Sequence, residues 1–203
     1  VDNAQKNIPL ITYDTTDAQE TRYKCSEKIS AVKSSDCSSF WVITHFIDNF
    51  YAFKIDAVGV DTTPIVSNTP TAIPISGYRR NALGYLKASP IGDKLAAAHL
   101  GLTNVEGGNG PGKVMLYDFD NSTGVVSNEI ELYDGDSPYG VEFSPEATKL
   151  YATVGLGDTG VGNSLLLQYD LLAADIPGSQ FTVDNSSTFS SGAVQVGIDG
   201  RIY

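Results

Sequence analysis

The chain has 203 residues, of which 41% are hydrophobic, and its formal net charge is −11. A field of this sign repels phosphate backbones and anionic membrane surfaces, so nucleic acid and such membranes are excluded as partners. No apolar run approaches the roughly 18–20 residues of a spanning helix. Helix-forming runs are nearly absent while Tyr, Val, Ile and Thr are plentiful, which predicts an all-β chain.

A motif of two short strands joined by a tight turn occurs four times along the chain. The first copy places its turn at residues 34–39, and the next two place Ser-Pro turns at residues 89–90 and 144–145. The last copy, 192–203, has a turn one residue shorter. The copies lie about 50–55 residues apart, which is within the period expected of propeller blades. The residues that anchor this spacing are Trp41, Ala96, Tyr151 and Tyr203.

Each of the first three copies continues with an alternating strand, a turn containing Asp or Gly, and another strand. One unit therefore predicts four short strands. In the second copy these are residues 82–88, 94–99, 113–119 and 125–132.

A four-stranded unit that repeats in this way can bury its faces by packing on the next unit around an axis. The predicted fold is thus a β-propeller of four-stranded antiparallel blades, with about 3.5–4 repeats present. A β-sandwich is the rival fold, but it does not need matched turn motifs. Because Tyr203 falls inside a blade, we expect a fragment of a larger propeller of about seven blades, or one completed by another polypeptide.

The organisation predicted from the repeat is one partial propeller domain over residues 1–203. Residues 1–26 are the lead-in, and the blades span 27–67, 82–132, 137–183 and, incomplete, 192–203. We expect the first strand of each blade to be innermost. The side chains expected in the buried inner region are Ala31, Leu86, Val141 and Val194, and those expected between blades are Trp41, Leu95 and Leu150.

These motifs, taken in order, resemble the YVTN-like or WD-repeat-like propeller regions of large secreted Bacteroidota proteins of the type IX secretion kind. The stretches that carry the resemblance include KISAVK from residue 28, FWVITHF from 40, LGYLKASP from 83, VMLYDFDNSTG from 114 and PYGVEFSP from 138. The resemblance implies a propeller with more blades, export to the cell surface or medium, and no catalytic role.

Two long loops follow the second strands, at residues 99–112 and 154–163, and they should open on the same face as the loops between blades. Tyrosines beside carboxylates and amides suit sugar stacking with hydroxyl hydrogen bonds. Solvated connections without a ligand are the alternative. The candidate ligand-binding residues are Arg79, Arg80, His99, Asn109, Tyr133, Asp134, Asp136, Tyr139 and Asp158.

The sequence predicts no catalytic residue, no metal and no cofactor. His45 and His99 could both face the axis and ligate a metal with Asp134 or Asp136, but two histidines without fixed spacing are a weak signal. Residues 118–124 mimic a calcium loop, although a hairpin turn explains them better. There is no nucleophile elbow and no phosphate loop. Cys25 and Cys37 flank the first strand, and the pattern leaves a disulfide open.

The function predicted from these observations is a non-catalytic binding or scaffold module of an exported bacterial surface protein, adhesin-like, with a protein or glycan partner. One alternative is a propeller enzyme such as a lactonase or glycan lyase. A structural assembly subunit is the other.

Overall fold

The computed structural model describes residues 14–18, 21, 26–156, 163–187 and 192–203, with the side chain of Arg79 excepted. This part of the chain is all-β and forms three antiparallel sheets, as predicted. The strands are β1 Ile29–Lys33, β2 Phe40–Phe46, β3 Asn49–Asp56, β4 Gly59–Val60, β5 Ile65–Asn68, β6 Gly84–Ala88, β7 Lys94–His99, β8 Lys113–Asp120, β9 Val125–Asp134, β10 Ser137–Phe143, β11 Lys149–Gly155, β12 Ser164–Asp170 and β13 Phe181–Ser186.

The second and third sheets are each a meander of four strands in chain order, and the first sheet has five strands. The second sheet runs β6-β7-β8-β9 and the third runs β10-β11-β12-β13. In the first sheet, β1, β2 and β3 are followed by β5, which pairs with β3, while the short β4 pairs with the end of β3. Two short 3-10 helices, Arg79–Ala82 and Pro177–Ser179, lie in connections.

The four repeated turns have the same geometry. In each turn the first residue donates its backbone N–H to the carbonyl that closes the turn, and the residue three positions after the first has a positive φ. The last turn closes one residue earlier, as its sequence predicts. The donor–acceptor pairs are Ser34–Ser39, Ser89–Lys94, Ser144–Lys149 and Gly197–Arg201, and the positive-φ residues are Cys37 (58°), Gly92 (74°), Ala147 (54°) and Gly200 (76°).

The first strands of the three sheets lie side by side on the inner side of the array. β1 contacts β6, and β6 contacts β10. The start of the fourth repeat continues the series, because a Cβ on Gly140 of β10 would lie 2.6 Å from the Gly192 carbonyl oxygen and 2.9 Å from the Val194 nitrogen. Sheets that pack face to face with their first strands toward a common axis are the blades of a propeller, so the predicted fold is confirmed. We call the sheets blades 1, 2 and 3.

Two apolar clusters fill the interfaces between blades. Trp41 packs between blades 1 and 2, and its indole donates to the Asn121 carbonyl at 2.8 Å. Leu95 belongs to the same cluster, and Leu150 belongs to the cluster between blades 2 and 3. The predicted positions of these three side chains are confirmed, and each is at most 4% exposed.

Three of the four residues predicted in the inner region are buried: Leu86, Val141 and Val194. The prediction for Ala31 is wrong, because its side chain is exposed. Ala31 lies on β1, which among the described residues has a neighbouring blade on one side only, and it borders an open cavity.

Cys37 is exposed and forms no disulfide with another described residue, and Cys25 lies outside the described residues. No helix in the part of the chain that the structure describes is long and apolar enough to cross a membrane.

Candidate functional site

A cavity of about 490 Å³ opens on the inner side of blades 1 and 2. We call it the axial cavity, because β1 and β6, the inner strands of these blades, form most of its wall. β10 closes one end through Glu142. The polar side chains that face it are Glu27, Ser30, Tyr85, Lys87 and Glu142.

The alternation of β6 places two of these side chains in the cavity. Side chains of a strand point to opposite faces in turn, so Tyr85 and Lys87 share one face and Leu86 takes the other. Leu86 is 2% exposed and packs between blades 1 and 2. The burial of Leu86 toward blade 1 therefore fixes the register that directs Tyr85 and Lys87 toward blade 3, at the edge of the cavity.

Glu27 connects all three blades at one end of the cavity. Its carboxylate accepts a hydrogen bond from the backbone N–H of Gly84 at 2.9 Å, while the side chain itself is exposed. Tyr139 of blade 3 also hydrogen-bonds to this carboxylate; burial, the charge of Glu27 and this bond together raise the pKa of the Tyr139 hydroxyl. The rings of Tyr85 and Tyr139 lie 6.3 Å apart at 48°.

Lys87 and Glu142 form an ion pair at the other end of the cavity. The Lys87 Nζ lies 2.8 Å from Glu142 Oε2 and 5.6 Å from the centre of the Tyr85 ring. Glu142, which is 7% exposed, also accepts the backbone N–H groups of Phe143 at 3.1 Å and Val196 at 3.2 Å. Glu142 thus orients Lys87 and ties blade 3 to the fourth repeat.

The charged side chains that line the cavity sum to a net negative charge. The charge of Lys87 is matched by Glu142, and Glu27 adds a second carboxylate at the open side. Two aromatic rings stand beside that carboxylate. This arrangement attracts neutral polar groups and cations, and it repels anions such as phosphate esters.

The connections at residues 76–81, 100–112 and 135–138 form a packed layer of loops. The Gly112 N–H donates to the Asp136 carbonyl at 3.0 Å, and Asn81 Nδ2 donates to the Gly107 carbonyl at 2.9 Å. A Cβ on Gly112 would lie 2.3 Å from Pro138 Cδ, so only glycine allows this approach. The loops are therefore held by backbone contacts between segments rather than spread in solvent.

The structure brings together only part of the predicted ligand set. Tyr139 does not line the axial cavity but hydrogen-bonds to Glu27, which does. The Tyr133 hydroxyl donates to Asp136 at 3.2 Å, and burial together with the Asp136 charge raises the pKa of Tyr133 to about 12. Asp134 pairs with Lys113 at 2.9 Å. Asn109 donates its amide to the Leu100 carbonyl inside its loop.

The remaining predicted residues do not join this site. Arg80 is exposed on the 3-10 helix Arg79–Ala82. The side chain of Arg79 and the whole of Asp158 lie outside the described residues. His99 is 1% exposed, so its prediction as a surface ligand contact is wrong: it points into the interface between blades.

The idea that both histidines face the axis is also wrong. His45 and His99 point toward each other across the interface of blades 1 and 2, with ring centres 4.9 Å apart. Neighbouring residues on a strand face opposite blades. When blades 1 and 2 are aligned by their turns, His45 and His99 are one position apart, so their side chains leave the two sheets on opposite faces. Within the described residues no group of three or more His, Cys, Asp or Glu side chains could hold a metal ion.

The calcium-like stretch is a hairpin, as the sequence favours. Residues 121–124 turn between β8 and β9, and the Asp120 carboxylate accepts hydrogen bonds from the Ser122 N–H and hydroxyl and from the Thr123 hydroxyl.

Sequence reasoning missed Glu27, Tyr85, Lys87 and Glu142 because it searched loops, whereas these residues lie on or beside the inner strands. A signal was present on β6. A tyrosine and a lysine flank a core leucine at the position where the blade packing predicts the innermost strand, so both share the face opposite the leucine and lie close to the axis.

No protein-family model and no curated protein matches this chain. Solved structures with a similar fold include a protein described as a 6-phosphogluconolactonase from Bacteroides fragilis, with 16% identity and a TM-score of 0.47. The periplasmic gluconolactonase of Pseudomonas aeruginosa has 16% identity and a TM-score of 0.48, and TolB from Acinetobacter baumannii has 13% and 0.44. The alignments cover 80%, 85% and 85% of this chain but only 40%, 47% and 35% of those proteins.

These comparisons correct one prediction from the sequence. The conclusion that the chain is not an enzyme is wrong, because two of the similar structures are described as lactonases. At 16% identity the likeness concerns the fold and says nothing about which activity this chain has.

Proposed function

We propose that this chain is the ligand-binding part of an exported surface propeller, and that it binds a neutral or amine-bearing carbohydrate in the axial cavity. The observation that carries the proposal is the cavity lined by Glu27, Tyr85 and Lys87, with Tyr139 hydrogen-bonded to Glu27 beside it. Three different blades supply these side chains.

The chemistry of the group suits a sugar. The Tyr85 ring offers a flat apolar face for the C–H side of a pyranose, and the exposed Glu27 carboxylate accepts hydrogen bonds from hydroxyl or ammonium groups. Lys87 supplies a donor whose position is held by Glu142. A few placed polar groups beside aromatic rings in a preformed cavity are typical of small-ligand sites. The negative balance favours neutral sugars and amino sugars over phosphorylated ones.

Export to the cell surface and an adhesin-like role with a glycan partner belong to the same proposal. They are supported by the likeness of the repeat motifs to secreted propeller regions. A surface glycan is also compatible with the acidic net charge of −11, which disfavours nucleic acid and anionic membranes.

A glycan array probed with fluorescently labelled protein tests the proposal. The wild type should bind a subset of neutral or amino-sugar glycans, and Glu27→Gln and Tyr85→Ala should each reduce the signal at least tenfold. Phe181→Ser is the matched control, because Phe181 is an exposed residue of blade 3 outside the cavity, and it should leave binding unchanged.

The same variants distinguish binding from the other functions. Incubating each bound glycan and a panel of sugar lactones with the protein reads turnover directly. Turnover that Glu27→Gln abolishes would replace binding by catalysis as the function. Absence of glycan binding, or binding that both cavity variants retain, contradicts the proposal.

A further inference from the structure

Behind the axial cavity, the interface of blades 1 and 2 buries three nitrogen-bearing side chains. Lys28, His45 and His99 are each 1% exposed, and they belong to the segment before β1, to β2 and to β7. We call them the junction cluster. Both nitrogens of His99 and Nε2 of His45 find no hydrogen-bond partner among the described residues. A buried polar group without a partner costs free energy, so the cluster needs an explanation.

The fold itself does not require polar residues here. The interface of blades 2 and 3 offers the comparison, since its equivalent positions follow from the matched turns. These positions hold Leu83 in place of Lys28, Leu100 in place of His45 and Val154 in place of His99; the two leucines are half-buried, and Val154 is buried in the cluster between blades 2 and 3. An apolar junction is therefore compatible with the same backbone architecture, and blades 1 and 2 differ by carrying titratable groups.

The junction cluster holds the segment that supplies the cavity wall. Lys28 Nζ donates to the carbonyls of Ala82 at 3.3 Å and Leu83 at 3.1 Å. The next residue, Gly84, donates to Glu27 and pairs with His99 across the ladder. A Cβ on Gly84 would lie 2.7 Å from Lys28 Cε, so lysine and backbone are in close contact. Residues 82–84 lead directly into Tyr85.

We infer that the junction cluster is an acid-sensitive contact whose protonation loosens residues 82–84 and releases ligand from the axial cavity. The release step rests on the proposed function, whereas the loosening of the junction does not.

Charge repulsion supplies the mechanism. Burial, and then the charge of Lys28, lower the pKa of both histidines well below the usual range. Glu27 acts on Lys28 from its own segment, and Lys113 of β8 acts on His99. Lys113 is itself paired with Glu131 and Asp134. A proton on either ring places a second or third positive charge in a dry interface, and opening the junction relieves it.

Amide hydrogen exchange on the ligand-free protein tests the loosening. The chain has two histidines, and both are in the cluster. Between pH 6.5 and 5, the protection factor of the Gly84 amide should fall by up to about tenfold per pH unit for each histidine released. Amides of β11 serve as the internal control and should keep their protection over this range.

The variant His45→Leu/His99→Val copies the residues of the blade 2–3 interface and should remove the pH dependence. If the double variant does not fold, His99→Val alone is measured instead. In a plot of the logarithm of the Gly84 protection factor against pH, its slope should be half that of the wild type. A Gly84 protection factor that is constant in the wild type, or that falls equally in the variant, overturns the inference.

Binding of a glycan identified on the array, measured at pH 7 and 5, tests the release. Affinity should fall at least tenfold in the wild type and less than threefold in the double variant. Equal affinity at both pH values, with Gly84 unprotected at pH 5, refutes the coupling to the cavity while leaving the binding function intact. Failure of the array itself would instead refute the binding function, and the exchange result would still stand.

Discussion

Lys28 is fully buried, which is rare for a lysine. Its ammonium is enclosed between two blades, with two backbone carbonyls as acceptors. Desolvation by burial lowers the pKa of Lys28 from 10.5 to about 7, and the charge of Glu27 opposes this only in part. A lysine held in this way makes stability depend on pH, because the unfolded chain keeps the ordinary pKa.

The sign of that dependence is determined by the lowered pKa. Between about pH 7 and 10.5 the unfolded chain binds one proton more than the folded chain, so the free energy of unfolding rises with pH. Lys28→Leu should remove a slope of up to about 1.4 kcal/mol per pH unit over this window. Denaturant unfolding at pH 7.5 and 9.5 measures it. Lys94→Met, which alters a partly exposed lysine, is the control, and an unchanged slope in Lys28→Leu would refute the assignment.

Ala147 is an alanine at the left-handed position of a turn where two of the other repeats have glycine. Its φ is 54°, which an L-residue adopts at a cost of about 1 kcal/mol. Ala147→Gly should therefore stabilise the protein by about 0.5 kcal/mol after the entropy loss of glycine is subtracted.

The reverse change at the equivalent turn is the matched partner. A Cβ on Gly92 would lie 2.8 Å from Asn121 Nδ2, so Gly92→Ala should destabilise the protein by about 1–3 kcal/mol. Thermal unfolding of both variants measures these two changes in stability, which should have opposite signs. Shifts of the same sign would show that the two turns are not equivalent.

At the scale of elements, strands and turns were predictable because their signals are local. The turns at Ser89 and Ser144 carry their own hydrogen-bonding and backbone preferences, and β7 begins and ends as predicted. The contact between Glu27 and Tyr139 was not predictable in this way. These residues are far apart in sequence and belong to different blades, and only the packing angle between blades brings them together.

The loop layer depends on small residues where its segments approach one another. Gly112→Ala would place a methyl group within 2.7 Å of the Gly101 nitrogen and the His99 carbonyl, so it should cost about 1–3 kcal/mol of stability. Gly192→Ala is the control, because no atom lies within 4 Å of its added Cβ. Chemical denaturation compares the two variants. Equal free energies of unfolding for the two variants would show that the loops accommodate the added methyl group without loss of stability.

At the scale of the whole molecule, the repeat period predicted the radial array but not the place of the site. Propeller loops were the expected location, whereas the structure collects its polar and aromatic groups on the inner strands. The cause is geometric: β1, β6 and β10 converge at the axis, so a few residues on neighbouring strands can surround one cavity. Loop composition carries no information about that convergence.

The claim that the axial cavity is a ligand site is tested most directly by mapping amide chemical shifts. Titrating ¹⁵N-labelled protein with a pool of neutral oligosaccharides and amino sugars should perturb the amides of Ser30, Tyr85 and Lys87 first. The same titration of Tyr85→Ala should leave these amides unmoved. Perturbations confined to the outer strands β9 and β13, or none at millimolar sugar, would contradict the account.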